Sequence, residues 1–259
     1  MTRNAIIMAA GMSSRFAPLS LETPKALLNV KDEIMIERQI GQLREAGIDE
    51  IIIVVGYLKE KFEYLKEKYH VILVENPYYK QMNNFSTLYV AREYLKNTWI
   101  CSADNYFTEN VFMEESENAF YASEYADGAT EEWCIKTDNT GKIIGVQIGG
   151  ENAWVMKGHV FFNEKFSTQL LPYLEEAFQK KELWDEYWEN LYMAHMDEME
   201  MYIRKYDAGI IEEFDSIDEL RKFDVKYKEC TGSKVLREIS EKLNCPEGKM
   251  TQMKPVKSN

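Results

Sequence analysis

The apolar positions of this chain change their spacing about halfway along. Residues 5–10 (AIIMAA) and 50–55 (EIIIVV) are short, almost unbroken apolar runs that end at Gly11 and Gly56. Such runs are the pattern of strands covered on both faces. Between them Ile36, Ile40 and Leu43 recur at helical spacing until Gly47, which stops the segment. Residues 59–68 read as a charged helix and 71–74 as a strand. Ser86 is positioned to cap a helix running to Leu95, and 98–103 returns to strand before Asp104. Alternating strand and helix predicts an α/β domain, a parallel sheet with covering helices.

The second half reads differently. Residues 133–137 and 143–148 flank Asp138-Asn139-Thr140-Gly141, a hairpin signal, and 153–162 follows as another strand. Helical segments are predicted near 168–181 and 185–195, strands near 201–205 and 210–214, and a short helix from Ser216 to Phe223. No repeat and no low-complexity stretch interrupts the pattern. A catalytic domain is predicted over residues 1–227, with residues 228–259 as a separate tail containing a capped helix from Ser233 to Leu243.

Composition narrows the function. At 259 residues and 45% hydrophobic the chain can bury a sizeable core, and no apolar run approaches the ~20 residues of a membrane span. Strand-like sequence from Ala5 leaves no room for a cleavable leader. A formal charge of −13 argues against a nucleic-acid partner. Cys101, Cys134, Cys230 and Cys245 lack metal-ligand spacing and read as reduced thiols of a cytoplasmic protein. Three histidines without a close pair exclude a zinc-type centre.

The chemistry concentrates near the N-terminus. After the first strand, Gly11-Met12-Ser13-Ser14 is a small-residue loop carrying Arg15, followed by a Thr23-Pro24-Lys25 turn. Small residues let backbone N–H groups approach a phosphate, and the two cations neutralise it. Neither of the two common glycine-rich phosphate loops has this spacing. Further carboxylates close strand-like runs at Asp104 and at Glu213-Phe214-Asp215. Two of them brought together could hold Mg²⁺, which takes oxygen ligands. Trp133 follows Glu131-Glu132, and Tyr187-Trp188 lie between Asp185-Glu186 and Glu189. Acidic residues beside aromatic faces suit a quaternary ammonium, which cannot donate hydrogen bonds.

The series Ala9-Ala10-Gly11-Met12-Ser13-Ser14-Arg15, Pro18, Pro24-Lys25 resembles the nucleotidyltransferase pattern A-A-G-x-G-[ST]-R-(x)-P-(x)-P-K, with Ser13 at the place of the second glycine. Residues 53–60, 83–88, 103–106, 132–133, 187–188 and 214–216 extend the similarity to bacterial CTP:phosphocholine cytidylyltransferases, within the sugar-nucleotide pyrophosphorylase superfamily. That resemblance implies a Rossmann-like fold with a mixed, mostly parallel sheet and a small hairpin and helical part for the acceptor. It implies that Ala9, Ala10 and Gly11 cradle CTP, with Arg15 and Lys25 on its phosphates. Gly56, Tyr57, Asn84 and Ser86 would lie near cytosine and ribose. Asp104 and Asp215 would hold Mg²⁺, with Asp104 also beside the nucleotide. Trp133 and Tyr187 would face the trimethylammonium group, with Glu189 and Glu213 as acceptor-side carboxylates. Glu189 stands where an aspartate is expected in relatives.

The reaction so implied is attack of a phosphocholine oxygen on the α-phosphorus of CTP, with no general base required. The alternatives are transfer to 2-aminoethylphosphonate or a sugar 1-phosphate, and a nucleotide-sensing module without turnover. The tail resembles the approach to a choline-kinase-like domain, fused or partner, and reads equally well as a helix docked on the domain.

Overall fold

The computed structural model describes residues 3–114 and 116–253. Its strands are β1 (Arg3–Ala9), β2 (Asn29–Val30), β3 (Glu33–Ile34), β4 (Glu50–Val55), β5 (Ile72–Glu75), β6 (Asn97–Ser102), β7 (Asn105–Phe107), β8 (Phe120–Thr137), β9 (Ile143–Phe162), β10 (Tyr202–Tyr206) and β11 (Ile211–Glu213). Its α-helices are α1 (Leu19–Glu22), α2 (Met35–Glu45), α3 (Tyr64–Tyr69), α4 (Phe85–Val90), α5 (Glu164–Gln179), α6 (Trp188–Ala194), α7 (Ile217–Phe223) and α8 (Lys234–Leu243).

Seven strands form one sheet in the order β10-β8-β9-β6-β1-β4-β5. β6, β1, β4 and β5 run parallel, while β9 is antiparallel to both β6 and β8. The unbroken apolar runs are explained by burial on both faces. Ala5 and Ile7 of β1 and Ile51 and Ile53 of β4 pack with Ile36, Ile40 and Leu43 of α2. Ile6, Ile52 and Val54 point the other way, onto Phe85 and Leu88 of α4 and Leu170 and Leu174 of α5. The expected mixed, mostly parallel sheet with covering helices is therefore present. A third apolar cluster, including Phe16, Leu19, Tyr106, Phe214, Ile217 and Leu236, lies away from the sheet.

Several boundaries differ from the sequence reading. The segment 59–68 divides into a 3₁₀ turn, Lys59–Phe62, and α3, with Phe62 and Leu65 as its buried residues. Ser86 lies inside α4 instead of capping it, and the helix ends at Val90 before a 3₁₀ turn at Arg92–Tyr94. Asn84 occupies the N-cap position without capping. Helix α5 starts earlier than predicted, at Glu164, where Asn163 accepts from the Phe166 N–H. Helix α6 starts later, because Tyr187 is extended.

The largest correction concerns the second half. The predicted short strands are parts of one long hairpin, β8 with 18 residues and β9 with 20. Gly128 and Gly149, both at positive φ, lie at its register shifts, where bulges absorb residues that would otherwise break pairing. The turn at Asp138–Gly141 and the Ser216 cap are as predicted; Ser216 and Glu219 form a reciprocal capping box.

The tail from residue 228 packs on the rest through α8, capped by Ser233 as predicted, with Leu236 in the third cluster. Residues 254–259, which carry the end of the tail motif, lie outside the described residues. The four cysteines are free, Cys101 and Cys134 being buried in strands. Among the described residues no helix is long and apolar enough to cross a membrane.

Candidate active site

The chain runs from β1 to β4 and β5 on one side, then returns to place β6 on the other side of β1. The crevice beyond the carboxyl ends of β1 and β6 is thus the switch point, where open α/β sheets bind ligands. Gly11 follows β1 there, Asn76 follows β5, and Asp104 follows β6. A cavity of about 230 Å³ is lined by Met8, Ala10, Gly11, Asn76, Tyr79, Asn84, Ser86 and Asp104, among others.

Gly56 explains how the loop stays close to the sheet. A Cβ on it would stand 2.8 Å from the Ala10 carbonyl oxygen and 2.9 Å from the Tyr79 ring. Next to it the Tyr57 N–H donates to the same Ala10 oxygen at 3.1 Å. Tyr57 contributes this backbone contact and does not line the cavity. Ser86 lines it, yet its buried hydroxyl is engaged, donating to the Asn83 carbonyl at 2.7 Å and accepting from Asn76 Nδ2 at 2.9 Å. Ser13 adopts the left-handed conformation, φ 47° and ψ 45°, which glycine enters without the Cβ conflict that a serine meets.

Both loop cations are paired with carboxylates. Lys25, only 6% exposed, donates to Asp104 Oδ2 at 3.1 Å, and its ammonium stands 5.1 Å over the Phe16 ring. Arg15 forks onto Asp215 with two contacts of 2.8 Å, in a much more open setting. The two carboxylates come from distant parts of the sequence. They meet because β7 pairs antiparallel with β11, Asn105 opposite Glu213, so the residues flanking those strands converge. Glu213, opposite Asn105, is near enough to both to feel their charge. Its side chain is exposed, and partial desolvation together with the charges of Asp104 and Asp215 holds its pKa above the usual carboxylate range, against the pull of Lys25 and Lys157. Among the described residues no three acidic, cysteine or histidine side chains form a ready metal cluster.

A second group surrounds α6. Glu189, 9% exposed, accepts from Asn84 Nδ2 and from the Tyr121 hydroxyl, each at 3.1 Å. Asn84 Oδ1 in turn accepts from the Trp188 N–H at 2.8 Å, which is why this asparagine does not cap its own helix. Burial raises the Glu189 pKa to about 6, only partly opposed by these hydrogen bonds. Trp133 and Tyr187 meet edge to face with ring centroids 5.8 Å apart. Tyr187 is 44% exposed, while Trp133 is half-buried and packs against the edge of the second apolar cluster.

The family model that matches, over residues 5–183, is the MobA-like NTP transferase domain. The chain belongs to that family. It is a nucleotidyltransferase. It is 36% identical to a choline-phosphate cytidylyltransferase of Streptococcus pneumoniae over 85% of this chain and 96% of that one. It is 37% identical to a 2-aminoethylphosphonate cytidylyltransferase of Lancefieldella rimae, over 86% and 93%. The solved CTP:phosphocholine cytidylyltransferase of S. pneumoniae superposes with a TM-score of 0.82 at 36% identity, covering 86% of this transferase and 97% of that chain.

The structure thus brings Gly11, Asn84, Ser86 and Asp104 to one cavity, joins Arg15 to Asp215, and gathers Glu189, Asn84 and Tyr121. Sequence reasoning missed Tyr121, Tyr79 and Lys157. The Lys157 ammonium lies 3.8 Å from Glu124 Oε2 and near enough to Glu213 to lower its pKa. A lone lysine within a strand carries no motif, and the available signal was a charge inside the apolar run 153–162. His159 is fully buried and stacks on Trp99 at 5.0 Å; burial holds its pKa down to about 3, so it packs as a neutral ring.

Proposed function

We propose that this transferase joins CTP to phosphocholine, giving CDP-choline and pyrophosphate in the cytoplasm. The observation that carries the acceptor assignment is Glu189, a buried carboxylate whose hydrogen bonds come from neutral groups only. Such a charge is costly until a cation joins it. A positively charged acceptor meets that need, and the half-open faces of Trp133 and Tyr187 suit a methylated ammonium in particular. A sugar 1-phosphate has no charge to offer there. The cytidylyl assignment rests on the relatives, whose names make them cytidylyltransferases. The 2-aminoethylphosphonate enzyme, equally similar, supports a second reading with a primary ammonium, for which Glu189 and Glu213 supply acceptors.

In this reading Gly11 and its neighbours take the triphosphate, and phosphate oxygens replace Asp215 and Asp104 as partners of Arg15 and Lys25. The acceptor phosphate is already ionised, so positioning and charge stabilisation suffice for in-line attack. Asp104 and Asp215 offer hard oxygens in a space crowded with negative charge, a donor set that fits Mg²⁺ completed by phosphate oxygens. Bound there, Mg²⁺ would offset charge on the α-phosphate and the leaving pyrophosphate.

Pyrophosphate release with CTP, UTP or ATP and a panel of phosphocholine, phosphoethanolamine, 2-aminoethylphosphonate and glucose 1-phosphate tests the proposal. The highest kcat/KM is expected for CTP with phosphocholine. A preference for 2-aminoethylphosphonate moves the assignment to the second reading, and a preference for glucose 1-phosphate refutes both.

A further inference from the structure

We propose that the segment from Lys228 to Met253 is a positioning element for the phosphate-binding loop, holding Arg15 and Lys25 where they meet the nucleotide. This rests on the reading of those two cations as phosphate ligands. The segment lies beyond residues 5–183 matched by the family domain.

Three contacts make the grip. The Ser233 hydroxyl donates to one Glu22 oxygen, and the Lys234 N–H donates to the other at 3.0 Å. Glu22 ends α1, three residues before Lys25. Leu236, fully buried, packs in the cluster that contains Phe16 and Leu19. Phe16 is the residue after Arg15 and also the ring beneath the Lys25 ammonium. The segment therefore shares one apolar cluster with the aromatic side chain that adjoins Arg15 and underlies Lys25.

The segment is itself anchored. Arg221, 4% exposed, donates to the Glu247 and Met250 carbonyls, each at 2.7 Å. A Cβ on Gly248 would fall 2.1 Å from the Lys228 carbonyl oxygen, so this turn closes only with glycine. Beyond it the Gln252 N–H donates to Asp218 at 2.8 Å. Gln252 and Met253 then form one wall of a cavity of about 830 Å³ whose other wall includes Arg15 and Asp215.

The test uses the full chain carrying Ser233→Ala or Leu236→Ala, neither of which touches the nucleotide in this reading. Three quantities are compared with the parent protein. They are the rate of tryptic cleavage after Arg15, the KM values for CTP and phosphocholine, and the melting temperature. Cleavage requires the buried Phe16 to leave its cluster, so it reports loop opening whatever the substrate. The expected result, well below the melting temperature, is cleavage at least tenfold faster and a KM for CTP about fivefold higher. The KM for phosphocholine should stay within twofold. Unchanged cleavage and unchanged KM for CTP, alongside a lowered melting temperature, would overturn the proposal and leave the segment as packing only. If Leu236→Ala does not fold, Ser233→Ala decides alone. Faster cleavage in a protein that turns over no CTP would uphold the bracing and refute the substrate reading instead.

Discussion

Glu189→Gln separates the buried charge from its shape. Burial lifts the Glu189 carboxyl from 4.5 to about 6, and at about 1.4 kcal/mol per tenfold change in proton affinity the ionised form destabilises the ligand-free fold by about 2 kcal/mol. The folded state holds the proton more tightly than the unfolded chain. Stability therefore falls as pH rises from 4.5 to about 6 and is level above that window. Glutamine can keep both contacts, its oxygen accepting from Asn84 and its amide donating to the Tyr121 hydroxyl. The variant is thus expected to melt several degrees above the parent at pH 8 and close to it at pH 4.5. Binding should move oppositely. An acceptor cation that merely restores the ordinary pKa prefers the ionised site by the same about 2 kcal/mol, roughly thirtyfold. The KM for phosphocholine at pH 8 should rise by that order in the variant, with the KM for CTP unchanged. The acceptor phosphate's own titration is common to both proteins and cancels in their ratio. Calorimetric melting at both pH values and initial-rate kinetics at pH 8 are the assays. A variant no more stable at pH 8, with an unaltered acceptor KM, would show that Glu189 is not a waiting counter-charge.

Three further outcomes are expected. Asp104→Asn should lower kcat at least a hundredfold at millimolar Mg²⁺ with an unchanged circular dichroism spectrum, since the substituted residue carries no charge for a metal; near-normal turnover would remove Asp104 from the metal assignment. Trp133→Ala should raise the KM for phosphocholine more than tenfold, a cation–π contact in a desolvated site contributing about 2 kcal/mol; equal weakening of CTP would make the ring a packing residue. Ser13→Gly should stabilise the fold by about 0.5 kcal/mol, relief of a left-handed serine exceeding the added chain entropy of glycine, and thermal melting that shows a loss would refute the strain.

What was legible in the sequence was what local pattern dictates. The runs at Ala5 and Glu50 specify doubly covered strands, and Ser216 specifies a helix start. The loop around Gly11 stood out because its residues are contiguous, and Ala10 and Gly11 do line the cavity beyond β1. The first half of β8 was not, since Tyr125-Ala126-Asp127-Gly128 has the composition of a loop and becomes strand only through pairing with β9. The helix expected to begin with Ser86 as its cap illustrates a competing demand: the Asn84 amide is committed to Trp188 and Glu189, some hundred residues away. Asp215 was read as a metal ligand, and in the ligand-free protein Arg15 holds it. Contacts such as Glu22 with Ser233 leave no trace in either local sequence, because each residue alone is an ordinary helix-end residue.

The pairing of β7 with β11 bears on how the enzyme matures. During synthesis the ribosome releases β1, β4, β5 and β6 early, and these can align side by side from the first hundred residues. Asp104 emerges with them, but its counterpart arrives only after residue 211 has cleared the exit tunnel and β11 has closed a loop of more than one hundred residues onto β7. Closure over such sequence separation is slow compared with local folding. On the proposed pairing of Asp104 with Asp215 at the reaction centre, catalytic competence is acquired last, after the nascent chain has gained most of its ordered structure.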